Sequence, residues 1–173
     1  MTIIAFISQK GGVGKSTLTQ ALAVEAKKKK ISVLLADCDS QQATNYDLII
    51  IDGPARTSTG TLEIAKKADL LIQPTGASRA DLIPAVKEFH ALVKAGINKK
   101  KLLFILNHIG SKAEAEIAQE YLKDTGYASL PIALLEKVSF RQIQNEGKSI
   151  TEINFKTLRK QTKALIENIL EYI

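Results

Sequence analysis

The sequence predicts an α/β fold: a mostly parallel sheet with helices on both faces, three layers in all, in a single domain over residues 1–173. Three observations carry that expectation. Short apolar runs alternate along the chain with stretches of helical period, the pattern of repeated strand–helix units. Most of those runs are continuously Val-, Ile- and Leu-rich, such as Leu48-Ile49-Ile50-Ile51, which fits strands covered on both faces. A glycine-rich turn, Gly11-Gly12-Val13-Gly14, joins the first apolar run to the first helical stretch.

Taken in order, Ile3-Ile4-Ala5-Phe6-Ile7 places the first strand at residues 2–8, and the Ala/Leu-rich segment after the glycines predicts a helix over 15–28. Lys27, Lys28, Lys29 and Lys30 read as a charged turn leading to a strand at 31–37. A strand at 47–52, a helix at 60–66 and a strand at 69–73 follow. The next helix covers 79–95; Pro84 lies near its first turn, where proline is tolerated, and Gly96 stops it. Strand 102–107, helix 112–124 ended by Gly126, a short strand near 128–131, and helices at 139–146 and 154–171 complete the chain. One interval breaks the pattern. Strands 31–37 and 47–52 are about nine residues apart, and a parallel crossover takes a dozen or more. We read this as a segment missing near 42–47.

Bulk composition narrows the classes. Hydrophobic residues make up 45% and charged residues 24%, the balance of a globular domain rather than a disordered or membrane chain. No apolar run approaches the ~20 residues of a membrane span, and a start directly in a strand predicts no signal peptide. The lone Cys38 excludes an internal disulfide framework and fits a reducing, cytoplasmic setting. A net charge of +6 favours a polyanionic partner, though a lysine-rich solvated surface explains the number equally well.

The chemistry centres on Lys10-Gly11-Gly12-Val13-Gly14-Lys15-Ser16-Thr17. Strand, glycine turn and helix form the context of a phosphate-binding loop, in which glycines let successive N–H groups point into one concavity. Gly11, Gly12, Val13, Gly14, Lys15, Ser16 and Thr17 are the expected nucleotide-binding set. Lys15 brings a charge to the β- and γ-phosphates, and the Ser16 hydroxyl is a ligand for Mg²⁺. Four apolar residues followed by Asp52 form a Walker B pattern, which supplies the carboxylate a hard cation needs. Asp37-Cys38-Asp39 ends a strand on the carboxyl side of the sheet, where ligands bind in open α/β folds.

The loop departs from the ordinary pattern: Gln9 stands where a glycine is usual, and a second lysine, Lys10, heads the loop. In this it resembles the deviant phosphate loop of the ParA/MinD family of P-loop ATPases. The resemblance implies ATP and Mg²⁺ as cofactors, and a homodimer closed over nucleotide in which Lys10 reaches the partner's ATP. It implies that Asp39 orients the attacking water and Asp37 supports the magnesium shell, although Ser40 replaces the proline of the family's D-x-D-P-Q motif. Lys10, Lys15 and Asp39 are then the catalytic residues, and Ser16, Asp37 and Asp52 hold the metal. Gly53-Pro54-Ala55-Arg56 resembles the segment that senses the γ-phosphate. Asn107 matches the asparagine that binds adenine, and Pro131 matches the loop on the other side of the base. Arg141 and Lys148 fall where relatives place DNA contacts, in an end pattern closer to partition ATPases than to MinD. The resemblance thus implies ATP-dependent DNA partition: non-specific DNA binding, nucleoid association when ATP-bound, and release by a ParB-like centromere-binding protein. The alternatives are a membrane-positioning ATPase like MinD and an ATPase that positions another cargo. The first requires the apolar stripe of the last helix to lie on lipid, whereas such a stripe ordinarily packs on its own sheet.

Overall fold

The computed structural model describes residues 1–36, 45–54 and 59–172. Its strands are β1 (Thr2–Phe6), β2 (Val33–Ala36), β3 (Leu48–Asp52), β4 (Leu70–Thr75), β5 (Leu102–Leu106) and β6 (Ala128–Ser129). They form one sheet in the order β2-β3-β1-β4-β5-β6, and every pairing is parallel. The helices are α1 (Lys15–Lys28), α2 (Thr59–Lys67), α3 (Arg79–Lys94), α4 (Lys112–Asp124), α5 (Val138–Asn145) and α6 (Lys156–Leu170).

The alternation of side chains along each strand feeds two cores. Ala5, Ile49, Ile51, Leu71 and Phe104 point to the layer of α2, α3 and α4, where Phe89 stacks on Phe104 at 4.2 Å between ring centroids. Ile4, Phe6, Ile50, Ile72 and Ile105 point to the layer of α1 and α6. There Leu165, Ile166 and Ile169 of α6 are fully buried, so the middle and end of the terminal apolar stripe belong to the core, while Phe155, just before the helix, is exposed.

Two strand ends differ from expectation for reasons visible in the ladder. β4 runs on through Pro74 to Thr75. In this register residues 73 and 75 bond to β5, with the Asn107 N–H donating to the Thr75 carbonyl. Residues 72 and 74 face β1, which has already ended at Phe6, so no ladder bond requires a Pro74 N–H. β6 stops at Ser129, the Leu130 N–H still donates to the Phe104 carbonyl at 3.0 Å, and the chain next bonds β5 at Leu134, whose N–H donates to the Leu106 carbonyl at 2.9 Å. Across the sheet, β2 pairs directly with β3, Val33 opposite Leu48, although only residues 37–47 lie between them. Asp37, Asp39 and the segment 37–44 lie outside the described residues, as do Ala55 and Arg56.

Candidate nucleotide-binding site

All helices that follow β1, β3, β4 and β5 start at the carboxyl edge of the sheet, so the turn after β1 opens there. Gly12 and Gly14 adopt left-handed backbone, with φ of 75° and 92°. Gly14 admits no side chain on steric grounds either: a Cβ there would lie 2.2 Å from Asn107 Nδ2. α1 begins at Lys15 with no side-chain cap and no acidic residue in its first turn. Its leading N–H groups and positive dipole end are therefore left for an anion.

Ser16 and Asp52 meet at this edge because Asp52 sits opposite Phe6 in the β1–β3 register. The Ser16 hydroxyl donates to Asp52 Oδ2 at 2.5 Å, which puts two hard oxygens side by side. That pair fits Mg²⁺, which binds few protein ligands and completes its shell with water and phosphate. Among the described residues no group of three or more His, Cys, Asp or Glu forms a metal cage, as such a phosphate-completed site requires none. Asn107, at the end of β5, is buried; its amide donates to the Val13 carbonyl at 2.9 Å and so braces the loop. His108 follows with φ of 57° in the left-handed region, beside Gly14.

A cleft opens between Thr17, Asn107 and His108 on one side and Glu136, Lys137 and Arg141 on the other. Gln144 of α5 crosses beneath it and donates to Thr17 Oγ1 at 2.8 Å. Pro131 is not brought to this cleft. It is exposed, and its carbonyl accepts from Gln119 of α4 at 2.9 Å. The chain rejoins β5 at Leu134, and residues 134–137 line the cleft instead. Arg141 and Lys148 are both exposed, and each is paired: Arg141 with Glu136 at 2.8 Å, Lys148 with Glu146 at 2.9 Å. The Glu146 partner holds the Lys148 ammonium above its ordinary value.

Lys10 turns away from its own loop. Its ammonium pairs with Asp81 of α3, whose other carboxyl oxygen accepts from Ser78 Oγ at 2.6 Å. Burial pushes the Asp81 carboxyl up, but the Lys10 and Ser78 hydrogen bonds outweigh it and leave the group below its ordinary value. Below the loop lies a second acid. Glu88, only 3% exposed, accepts the Gln9 N–H at 3.2 Å and the Gln73 amide at 2.6 Å. Burial raises its pKa, against the pull of those bonds and of the Lys15 charge. Glu88, Asp81, Gln144 and the 134–137 segment escaped the sequence reading. An acid inside an otherwise apolar helical face, as Glu88 is in α3, was the available signal for the first.

A family model of the CobQ/CobB/MinD/ParA nucleotide-binding domain matches residues 4–150. No curated protein sequence matches the chain. Among solved structures, MinD from Pyrococcus horikoshii in complex with Mg-ADP is 20% identical, with a TM-score of 0.77 over 97% of this chain and 95% of that one. A plasmid partition protein from Borrelia burgdorferi bound to AMPPNP is 17% identical, with a TM-score of 0.74 over 99% and 97%. McdA from Cyanothece is 18% identical, with a TM-score of 0.76 over 98% and 99%. At such identities these likenesses concern the fold, while the family model reads the sequence itself across most of its length. The chain belongs to the CobQ/CobB/MinD/ParA family of nucleotide-binding domains.

Proposed function

We propose that this chain is an ATP-hydrolysing partition switch, whose ATP-bound homodimer binds DNA without sequence preference and lets go when a centromere-binding partner stimulates hydrolysis. The observation that carries the proposal is the pair of lysines on one loop with opposite placements. Lys15 is buried at the start of α1, where it meets phosphate of its own site. Lys10 lies on the outer side of the loop, its side chain 58% exposed and paired with Asp81, where a second copy can receive it. In this reading Gly11 to Thr17 cradle the phosphates through backbone N–H groups, Asn107 holds the loop and offers Oδ1 to the base, and Ser16 with Asp52 holds the metal. Mg²⁺ bound there offsets charge on the phosphates. Asp39 aligns the attacking water and Asp37 supports the metal shell. Lys10 exchanges Asp81 for the partner's nucleotide, which makes hydrolysis depend on dimerisation; a cation supplied in this way raises turnover by ~10³–10⁵ in related phosphoryl transfers.

DNA is favoured over a membrane by α6, whose Leu165, Ile166 and Ile169 are buried in the core, and by the net charge of +6. Among the described residues no helix is long and apolar enough to cross a membrane. A role in positioning another cargo shares all the chemistry above and differs in the partner alone. The test is ATP turnover with and without DNA for the parent, Lys10→Ala and Asp39→Ala. Turnover should collapse in both variants while nucleotide binding persists; unchanged turnover in both refutes the mechanism.

A further inference from the structure

We propose that the amino edge of the sheet, opposite the nucleotide, is the surface that holds the DNA backbone. This rests on the DNA-binding reading above and assigns it a place. In an all-parallel sheet each connecting helix runs back from the carboxyl edge, so the ends of α1, α2, α3 and α4 gather at the amino edge. Each of those ends carries lysine. Lys27, Lys29 and Lys30 close α1; Lys67, Lys94, Lys100 and Lys123 stand at or just beyond the other helix ends, all exposed. Among the described residues none of these seven forms an ion pair. The acids of this edge are fewer: Glu25 and Glu63 pair with Lys28 and Lys66 of the same helix ends, Asp47 and Asp69 accept from the backbone N–H of Ser32 and Ile3, and Asp124 stands beside Lys123. At the carboxyl edge Lys10 and Arg141 are each bound to a carboxylate, while Arg79, Lys112 and Lys137 are exposed and, among the described residues, form no ion pair.

The end of α1 shows that a lysine is kept there against backbone preference. Ile31 N–H donates to the Ala26 carbonyl and Lys30 N–H to that of Lys27, a Schellman turn that puts Lys30 in left-handed backbone at φ 62°. The corresponding residues after α3, α4 and α5 are Gly96, Gly126 and Gly147, all with positive φ. Glycine is the unstrained choice at such a position, and of these four helix ends α1 alone lacks it. Helix-dipole pairing explains lysine in a last turn, but not at a site where the backbone favours glycine.

The dimensions and chemistry select a duplex. Six strands at ~4.8 Å spacing make an edge about 24 Å wide, the length of about seven base pairs at 3.4 Å each. The cations on it are flexible point charges rather than planar guanidinium forks, which fits phosphate contact without base readout. The surface is complete in one protomer and far from the phosphate loop, so nucleotide acts on it through valency: a dimer presents two copies and gains avidity.

The test is fluorescence anisotropy of the ATP-bound full chain on a duplex of arbitrary sequence at rising salt, with unfolding midpoints measured alongside. Lys30→Gly should fold with an equal or higher midpoint yet bind DNA about eightfold more weakly at 0.1 M salt, the loss of one phosphate contact. Lys29→Gln/Lys30→Gly/Lys100→Gln should flatten the log–log salt slope by about 3, at ~0.9 per lysine, while Arg141→Gln/Lys148→Gln leaves it in place. If only the second set flattens it, DNA binding stands and this surface is refuted. If the parent binds no DNA, or binds phosphatidylglycerol vesicles instead, both readings fall.

Discussion

Replacing Gly14 by alanine tests the local geometry on which the site depends. The added Cβ would stand 2.2 Å from Asn107 Nδ2, so the asparagine must leave and abandon its bond to the Val13 carbonyl. A φ of 92° adds backbone strain of ~1–2 kcal/mol for a residue with a side chain. A buried hydrogen bond broken with its acceptor left unpaired costs about 1–3 kcal/mol. The sum is roughly 2–5 kcal/mol, which for a chain of 173 residues lowers the melting temperature by about 5–15 °C. A double-mutant cycle separates the parts. Asn107→Ala alone loses the bond and removes the obstacle, so in its background Gly14→Ala costs only the strain. The two losses should therefore fall short of additivity by ~1–3 kcal/mol in urea unfolding. Additive losses, or a Gly14→Ala protein as stable as the parent, would refute the placement of Asn107 against the loop.

Two acids of α3 should titrate with opposite signs. Asp81 is held below its ordinary value, so its stabilisation is present above about pH 4 and lost as pH falls through the folded pKa. Asp81→Asn should lower stability at pH 7 by ~1 kcal/mol or less, because Lys10 is 58% exposed, and the gap to the parent should close in acid. Glu88 is raised by burial, so the parent loses stability as pH rises from about 4.5 through the folded value. Glu88→Gln cannot ionise, and its amide can donate to Gln73 Oε1, which accepts no hydrogen bond among the described residues. That variant should match the parent near pH 4 and exceed it at pH 7 by about 1 kcal/mol in urea midpoints read across pH; a constant offset would show that Glu88 does not titrate in the fold.

The sequence by itself determined the layering, the element order and the phosphate loop. Continuous runs such as Leu48-Ile49-Ile50-Ile51 admit a strand covered on both faces, and the glycines at 12 and 14 mark backbone that other residues resist. Those signals are local, written within a few residues. Tertiary structure decided what surrounds the loop. Lys10 finds Asp81 across 71 positions, Gln9 finds Glu88 across 79, Val13 finds Asn107 across 94 and Thr17 finds Gln144 across 127. Asn107 was legible as the residue that ends β5, but not as a brace for the loop, since which way an amide turns depends on the carbonyl that faces it. Pro131 lies off the cleft for a similar reason: the chain leaves β5 after Leu130 and returns at Leu134, a detour set by hydrogen bonds to β5 rather than by any residue in the segment. The lysines at residues 27–30 and 99–101 read as separate turns, and only the parallel topology brings them to one edge.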